Sequence, residues 1–382
     1  MSLAFEAVVL PPAAHEMRKR VRSFLREQLA AAAFTPRCSG WTIFDRDFSR
    51  SCGQAGFIGL TWPLEWGGQA RSTLERYVVV EELLAAGAPV GAHWIADRQS
   101  GPQILRHGSD ALKAAVLPGI VRGELFCAIG MSEPDSGSDL ASVRSRGDRV
   151  DKGWRINGRK IWTSSGHLAD IMIGLFRTEP ADPKRRHAGM TQFAIDLHSP
   201  GITRRAIRNI SGREDFSEIT FDDVFVPDTH VVGQVGDGWK LVTGELAYER
   251  SGPERFLSVF PLLVECLRAR PRADSPLVQA ELGRSVAHLA ALRRMAISVA
   301  AKLDAGGDPA TEAALMKDLG NALEREIPER LRGLALTDPG SAQAAPYRAL
   351  LAHTIVDATS YTLRGGTPEV LRGMIARGLG LR

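Results

Sequence analysis

The feature that most constrains this chain is a switch in the spacing of its apolar residues, from helical to alternating and back, each in one long block. From His15 to about Gly123 the spacing is helical. Leu74, Tyr77, Val78, Glu81 and Leu84 repeat at steps of three and four, which predicts a helix over Thr73 to Leu84. The stretch GFIGLTWPLEWGGQA interrupts this block, because Pro63 and Gly67-Gly68 force an irregular loop. From Phe126 to about Val232 the period falls to two, as in MTQFAIDL, where Phe193, Ile195 and Leu197 alternate with Gln192, Ala194 and Asp196. Asn157-Gly158 lies between candidate strands and predicts a hairpin turn, and Ile219 to Val226 reads as a further β segment around Asp222-Asp223. Helical spacing returns at Trp239. Leu282, Val286, Leu289, Leu292, Ala296, Val299 and Leu303 form one stripe and predict a single long helix. Blocks of this kind argue for segregated α and β domains (class α+β) and against a doubly wound parallel sheet. The expected divisions are an α-helical domain over 1–123, a β domain over 124–234 and a helical bundle over 235–382.

The charge balance narrows the function. Forty-eight Lys and Arg against 44 Asp and Glu leave a net charge of +4 over 382 residues, a weak field. The basic clusters Lys184 to His187 and Arg204 to Arg208 carry no interleaved aromatic residues, so they read as solvated loops and no nucleic-acid partner is expected. Cys38, Cys52, Cys127 and Cys266 lie far apart with no CxxC pair, which predicts reduced, buried thiols and no metal site. No apolar run approaches the roughly 18 residues of a membrane helix. The N-terminal apolar stretch before Pro11-Pro12 is too short for a signal peptide, so a cytoplasmic protein with no membrane partner is expected.

The P-loop, GxSxG and HExxH signatures are absent. Gly233-Gln-Val-Gly236-Asp-Gly238 lacks the strand and acidic partner of a dinucleotide fingerprint and reads as a turn. The specific signal is Met131-Ser132-Glu133-Pro134-Asp-Ser-Gly137-Ser138-Asp139, followed by Asn157-Gly158-Arg-Lys160-Ile-Trp162-Thr-Ser164. These two linked motifs resemble those of the acyl-CoA dehydrogenases. The resemblance runs from Gly56 through Gly68 to Arg364-Gly365-Gly366-Thr367-Pro-Glu369 and Arg372. It implies an N-terminal helical domain, a small central β-barrel and a C-terminal helical bundle, in line with the three blocks.

The resemblance also implies a bound FAD. A flavin needs hydrogen bonds at its pyrimidine edge and an apolar wall at N5. By resemblance the backbone at Ile129 and Met131, with Ser132, faces the polar edge, and Trp162 and Ser164 lie beside the dimethylbenzene side and N5. Gly137 belongs to the same turn, and Ser138 lies near both thioester and diphosphate. Thr367 and Glu369 approach from the other side. The family's Arg that grips the FAD of a neighbouring subunit corresponds to Arg272, with Arg270 competing for the alignment. The glycine-rich stretch expected before the last helices is missing from LALTDPGSAQ over 334–343.

Dehydrogenating an acyl-CoA thioester removes an α-proton while a β-hydride passes to flavin N5, so a carboxylate must act as base. Many family members carry that Glu where this chain has Gly365. A minority branch, resembling isovaleryl-CoA and long-chain dehydrogenases, carries it before an Arg on the first C-terminal helix. Glu249-Arg250 matches that pattern, with Glu245 and Glu254 as the other candidates. Arg250 orients the neighbouring substrate loop in this reading, and the Gly365 N–H contributes to the oxyanion hole. The resemblance implies an electron-transfer flavoprotein as acceptor and a dimer or tetramer. A half-site subunit of a heteromeric dehydrogenase is the alternative.

Overall fold

The computed structural model describes residues 3–249, 252–269, 274–334, 336–363 and 366–381, with backbone alone at 245–249 and 363. Helices α1 (Pro12–Ala30), α2 (Arg46–Gln54), α3 (Thr73–Ala85), α4 (Gly91–Ile95), α5 (Gly101–His107) and α6 (Asp110–Val121) precede the strands. The strands are β1 (Cys127–Gly130), β2 (Arg146–Val150), β3 (Gly153–Ser164), β4 (Ile171–Arg177), β5 (Met190–Asp196), β6 (Ile202–Ile207), β7 (Phe216–Pro227) and β8 (Val231–Val232). Helices α7 (Gly238–Glu249), α8 (Phe260–Arg268), α9 (Pro276–Asp304), α10 (Ala310–Arg332), α11 (Ala345–Ala358) and α12 (Pro368–Gly378) follow. Helical, sheet and helical domains thus succeed one another along the chain.

Two compact units result, one comprising Met1–Trp41, Arg71–Val90 and Glu249–Arg382, the other Thr42–Ala70 and Gly91–Tyr248. Within the first, α3 starts at a capping box in which Ser72 and Glu75 satisfy each other's backbone N–H. The Asp304 carboxylate at the end of α9 adds bonds to the Thr73 and Leu74 N–H groups at 2.6 and 3.3 Å, placing negative charge on the helix N-terminus. Buried Glu81 binds Arg18 at 2.8 Å, Arg293 at 2.6 Å and the Tyr77 hydroxyl at 3.0 Å, joining α3 to α1 and α9. The long helix α9 forms as its stripe predicts, yet Val286 is exposed while Leu289, Leu292, Ala296 and Val299 are buried.

In the second unit the eight strands make one sheet, ordered β6-β7-β3-β2-β4-β5-β8, with β1 pairing β4 in parallel. Trp154, Phe176, Phe193 and Phe221 meet edge-on with centroids 5.4–6.1 Å apart and form its core. The alternation in β5 does sort its residues onto two faces, but both faces are covered, so Thr191 and Gln192 are buried as well. Asn157-Gly158 is not a hairpin turn. Strand β3 runs through it, and the pairing with β7 slips at Gly158, a β-bulge. The reason is a close approach: Gly158 has φ +136, and a Cβ there would lie 2.2 Å from Ser145 Oγ, which takes the Arg159 N–H. The turn instead falls at Asp151-Lys152, between paired Val150 and Gly153, with Lys152 at φ 55.

The loop after α2 is irregular at the expected glycines, since Gly67 has φ +84 and a Cβ at Gly68 would lie 2.2 Å from the Trp62 carbonyl oxygen, and it is fixed by two further close approaches. Gly59 has φ +68 and donates its N–H to buried Asp97 at 2.8 Å, and the Trp62 ring fills the space a side chain at Gly101 would need. All four cysteines are free and buried, and burial pushes the Cys38 and Cys127 thiols up to about 12. Among the described residues no helix is long and apolar enough to cross a membrane.

Candidate active site

The first motif begins where β1 ends. Ile129 pairs with Ile173 of β4, and the chain then leaves the sheet at Met131 and Ser132, both half-buried. A tight turn around Pro134-Asp135 closes through reciprocal backbone bonds between Glu133 and Ser136 at 2.7 and 3.1 Å. The Ser136 hydroxyl donates to the Asp139 carbonyl at 2.9 Å, so this side chain completes the turn. Gly137 and Ser138 stand exposed on the far side, with open space around Gly137. Asp139 is held by Ser142 and by Arg186 at 2.7 Å, which keep its carboxyl below the usual range. Arg186 and Arg185 are thereby paired surface groups, Arg185 with Asp182 at 2.9 Å.

The second motif runs alongside it. Ile161 N–H donates to the Ser132 carbonyl at 3.0 Å, tying the loop to β3 one residue before Trp162. A second register slip, between Lys160 and Thr163, places Trp162 in a bulge with φ 60. A bulky residue in the left-handed region is strained, and such strain concentrates at functional positions. The Trp162 indole is 58% exposed and meets Phe216 edge-on at 6.0 Å, an apolar wall with one open face. Ser164 is half-buried two residues further on, opposite Phe216.

A buried ion pair joins the two motifs, one member in each. Lys160 is 0% exposed and its Nζ donates to Glu133 Oε1 at 2.8 Å and to the Met131 carbonyl at 3.1 Å. Glu133 also accepts the Arg144 and Ser145 N–H groups at 2.7 and 3.0 Å. Burial pushes Lys160 down to about 8 against the pull of Glu133. Burial alone would raise the Glu133 carboxyl, but Lys160 and the loop donors hold it below its ordinary range. The only signal available in sequence was two opposite charges, one in each linked motif.

In the other unit, Thr367 caps α12 by accepting the Val370 N–H, and Glu369 is exposed in the first turn. Backbone N–H donation at its own position and the Thr367 hydroxyl keep the Glu369 carboxyl below its usual range. Buried Lys317 donates to the Gly366 carbonyl at 3.2 Å. Gly365, Arg250, Arg270 and Arg272 lie outside the described residues. Glu245 and Glu249 belong to α7, which ends at Glu249, but their side chains are not described. Glu254 is fully buried in a short turn over Pro253–Arg255 and pairs with Arg255 at 3.2 Å. Among the described residues no cluster of His, Cys, Asp or Glu suits a metal.

A half-buried loop of backbone donors and a hydroxyl at Ser132 lies beside an exposed, strained indole, and this donor set fits a flavin with one polar edge and one apolar edge. The family models for the acyl-CoA dehydrogenase N-terminal, middle and C-terminal domains match residues 11–124, 128–224 and 236–380. The chain is 34% identical over 330 residues to the acyl-CoA dehydrogenase FadE34 of Mycobacterium tuberculosis, covering 85% of this chain and 44% of that relative's length. It is 32% identical over 356 residues to the acyl-CoA dehydrogenase IpdE1 of Mycolicibacterium smegmatis, with 88% of each covered. A solved structure described as the Tcur3481-Tcur3483 steroid ACAD superposes with a TM-score of 0.86 at 29% identity, covering 100% of this chain and 99% of that one. The chain belongs to the acyl-CoA dehydrogenase family, a class of oxidoreductase.

Proposed function

We propose that this protein is an FAD-dependent dehydrogenase that introduces an α,β double bond into an acyl-CoA thioester, with Glu249 as the base. The observation that carries this reading is the Met131–Ser132 loop, pinned from below by Lys160 and Ile161 and flanked by the strained, exposed Trp162. Ile129, Met131, Ser132, Gly137, Ser138, Trp162, Ser164, Thr367 and Glu369 would hold the cofactor, with Arg272 reaching it in an assembled oligomer. Bound there, FAD supplies the hydride acceptor.

The remaining work falls to the chain's own residues. Glu249 takes the α-proton, and a positioned base is worth about 10² to 10⁴ in rate. Glu254 is a poor alternative, since it is buried against Arg255. The Gly365 N–H donates to the thioester carbonyl oxygen, which raises the acidity of the α-proton. Arg250 stays protonated and orients the substrate loop. Trp162 and Phe216 exclude water from the reacting face.

Electrons pass on to an electron-transfer flavoprotein. We take the domains as 1–123, 124–234 and 235–382, a division that the matched segments 11–124, 128–224 and 236–380 support. Four free buried thiols suit a cytoplasmic location. The likeness to a steroid dehydrogenase favours a bulky polycyclic acyl group. The same neighbour's description joins two names, Tcur3481 and Tcur3483, and this supports a second reading in which the chain is one subunit of a heteromeric dehydrogenase.

One experiment separates these readings. The purified chain, expressed alone, is expected to be yellow, with flavin bleaching anaerobically on addition of one acyl-CoA from a panel that includes steroid side-chain thioesters. A yellow protein that no thioester bleaches removes the dehydrogenase reading. A colourless protein that gains flavin only on co-expression with a related chain establishes the heteromeric one.

A further inference from the structure

We propose that Lys160 and Glu133 are positioning residues for the flavin: Lys160, by holding the Met131 carbonyl inward, aims and strengthens the Ser132 N–H as the donor that meets the cofactor's pyrimidine edge. The proposal rests on the flavin reading above, but its geometry stands within one loop.

A peptide unit is planar and trans, so the carbonyl of Met131 and the N–H of Ser132 point in opposite directions. Lys160 Nζ holds that carbonyl at 3.1 Å, which turns the Ser132 N–H away from the sheet. The next peptide is fixed too, since Ile161 N–H holds the Ser132 carbonyl at 3.0 Å. The Ser132 N–H itself donates to no described group although the residue is half-buried. Backbone donors that leave the surface are almost always used, and a fixed one that meets no described group is placed to meet water or a ligand.

Among the described residues the lysine has no other outlet for its charge. Its ammonium meets Glu133 at 2.8 Å, the Met131 carbonyl, and the face of Phe176 with 4.9 Å to the ring centroid. Glu133 is the charged group that faces it among the described residues, and Glu133 is anchored in turn by the Arg144 and Ser145 N–H groups. A buried ion pair is rarely the cheapest way to secure a loop, because two apolar residues of similar volume often serve as well. What the charged pair adds is polarisation: a cation on a carbonyl strengthens the donor at the other end of the same peptide. With Lys160 lowered to about 8, that strengthening fades in mildly alkaline solution.

The test compares the wild-type chain with the double variant Glu133→Gln/Lys160→Met, which removes both charges and leaves neither buried alone. First, the Ser132 amide nitrogen of the flavin-free protein is followed from pH 6 to 11 in carbon-detected spectra, which do not depend on the exchangeable amide proton. It is expected to titrate in the wild type and to stay flat in the double variant; a flat wild-type Ser132 signal overturns the proposal. Second, FAD dissociation constants are measured for both proteins at pH 7. The variant is expected to bind about tenfold to a hundredfold more weakly, the range of one hydrogen bond assisted by charge. Equal affinities also overturn it. Should the wild type bind no FAD at all, the flavin reading falls, and the amide titration alone decides whether Lys160 governs the Ser132 donor.

Discussion

Gly320 and Gly283 both lie inside long helices, α10 and α9, yet alanine should act on them in opposite directions. In a helix interior Gly→Ala ordinarily stabilises by about 0.5–1 kcal/mol, because glycine loses more backbone freedom on folding. At Gly283 nothing lies within 4 Å of the added Cβ, so the full gain is expected. At Gly320 the Cβ would sit 2.1 Å from the Arg255 carbonyl oxygen and 2.9 Å from its carbon. Both are backbone atoms that no rotamer change can move. Helix α10 must therefore withdraw from the Pro253–Arg255 turn, against the bond by which its Glu324 accepts the Ser258 N–H at 2.7 Å just beyond that turn. Overpacking of this kind costs about 1–3 kcal/mol, so after the helix gain of about 0.5–1 kcal/mol a net loss of up to about 2.5 kcal/mol follows. In urea unfolding followed by far-ultraviolet circular dichroism, the midpoint should fall for Gly320→Ala and rise for Gly283→Ala. A Gly320→Ala protein as stable as the wild type would show that this close approach does not constrain the fold.

Ser72→Ala removes one arm of the α3 capping box and should cost about 1 kcal/mol, read as a lower urea midpoint. Phe193→Ala empties the middle of the sheet core, and about 3–5 kcal/mol should be lost in the same measurement. Acid should weaken the protein through Glu133. Its folded pKa lies below the ordinary 4.5, so its contribution is present at neutral pH and drains away as pH falls through 4.5 and below. The melting temperature of Glu133→Gln/Lys160→Met should therefore fall less than that of the wild type between pH 6 and pH 3. Glu249→Gln should keep its flavin and lose about 10² to 10⁴ in dehydrogenation rate; an active variant assigns the base elsewhere.

Much of the architecture is legible along the chain because it is local. A period of 3.6 or 2.0 is a property of neighbouring residues, so the stripe from Leu282 to Leu303 and the alternation in Phe193, Ile195 and Leu197 announce helix and strand directly. The two linked motifs likewise identify the family, since their residue types and spacing lie in short stretches. Tertiary structure decided what depends on distant partners. Asn157-Gly158 has the chemistry of a hairpin turn, but β7 pairs on both sides of it and Ser145 occupies the space at Gly158, so the strand continues through a bulge. Val286 belongs to the apolar stripe of α9 yet stays exposed, because periodicity names a face and not what covers it. The helical block that reads as one domain over 1–123 contributes to both compact units. Lys160 and Glu133 each look like an ordinary surface charge; only the meeting of β3 with the loop after β1 buries them together, and there low solvation makes the pair govern the peptide above it.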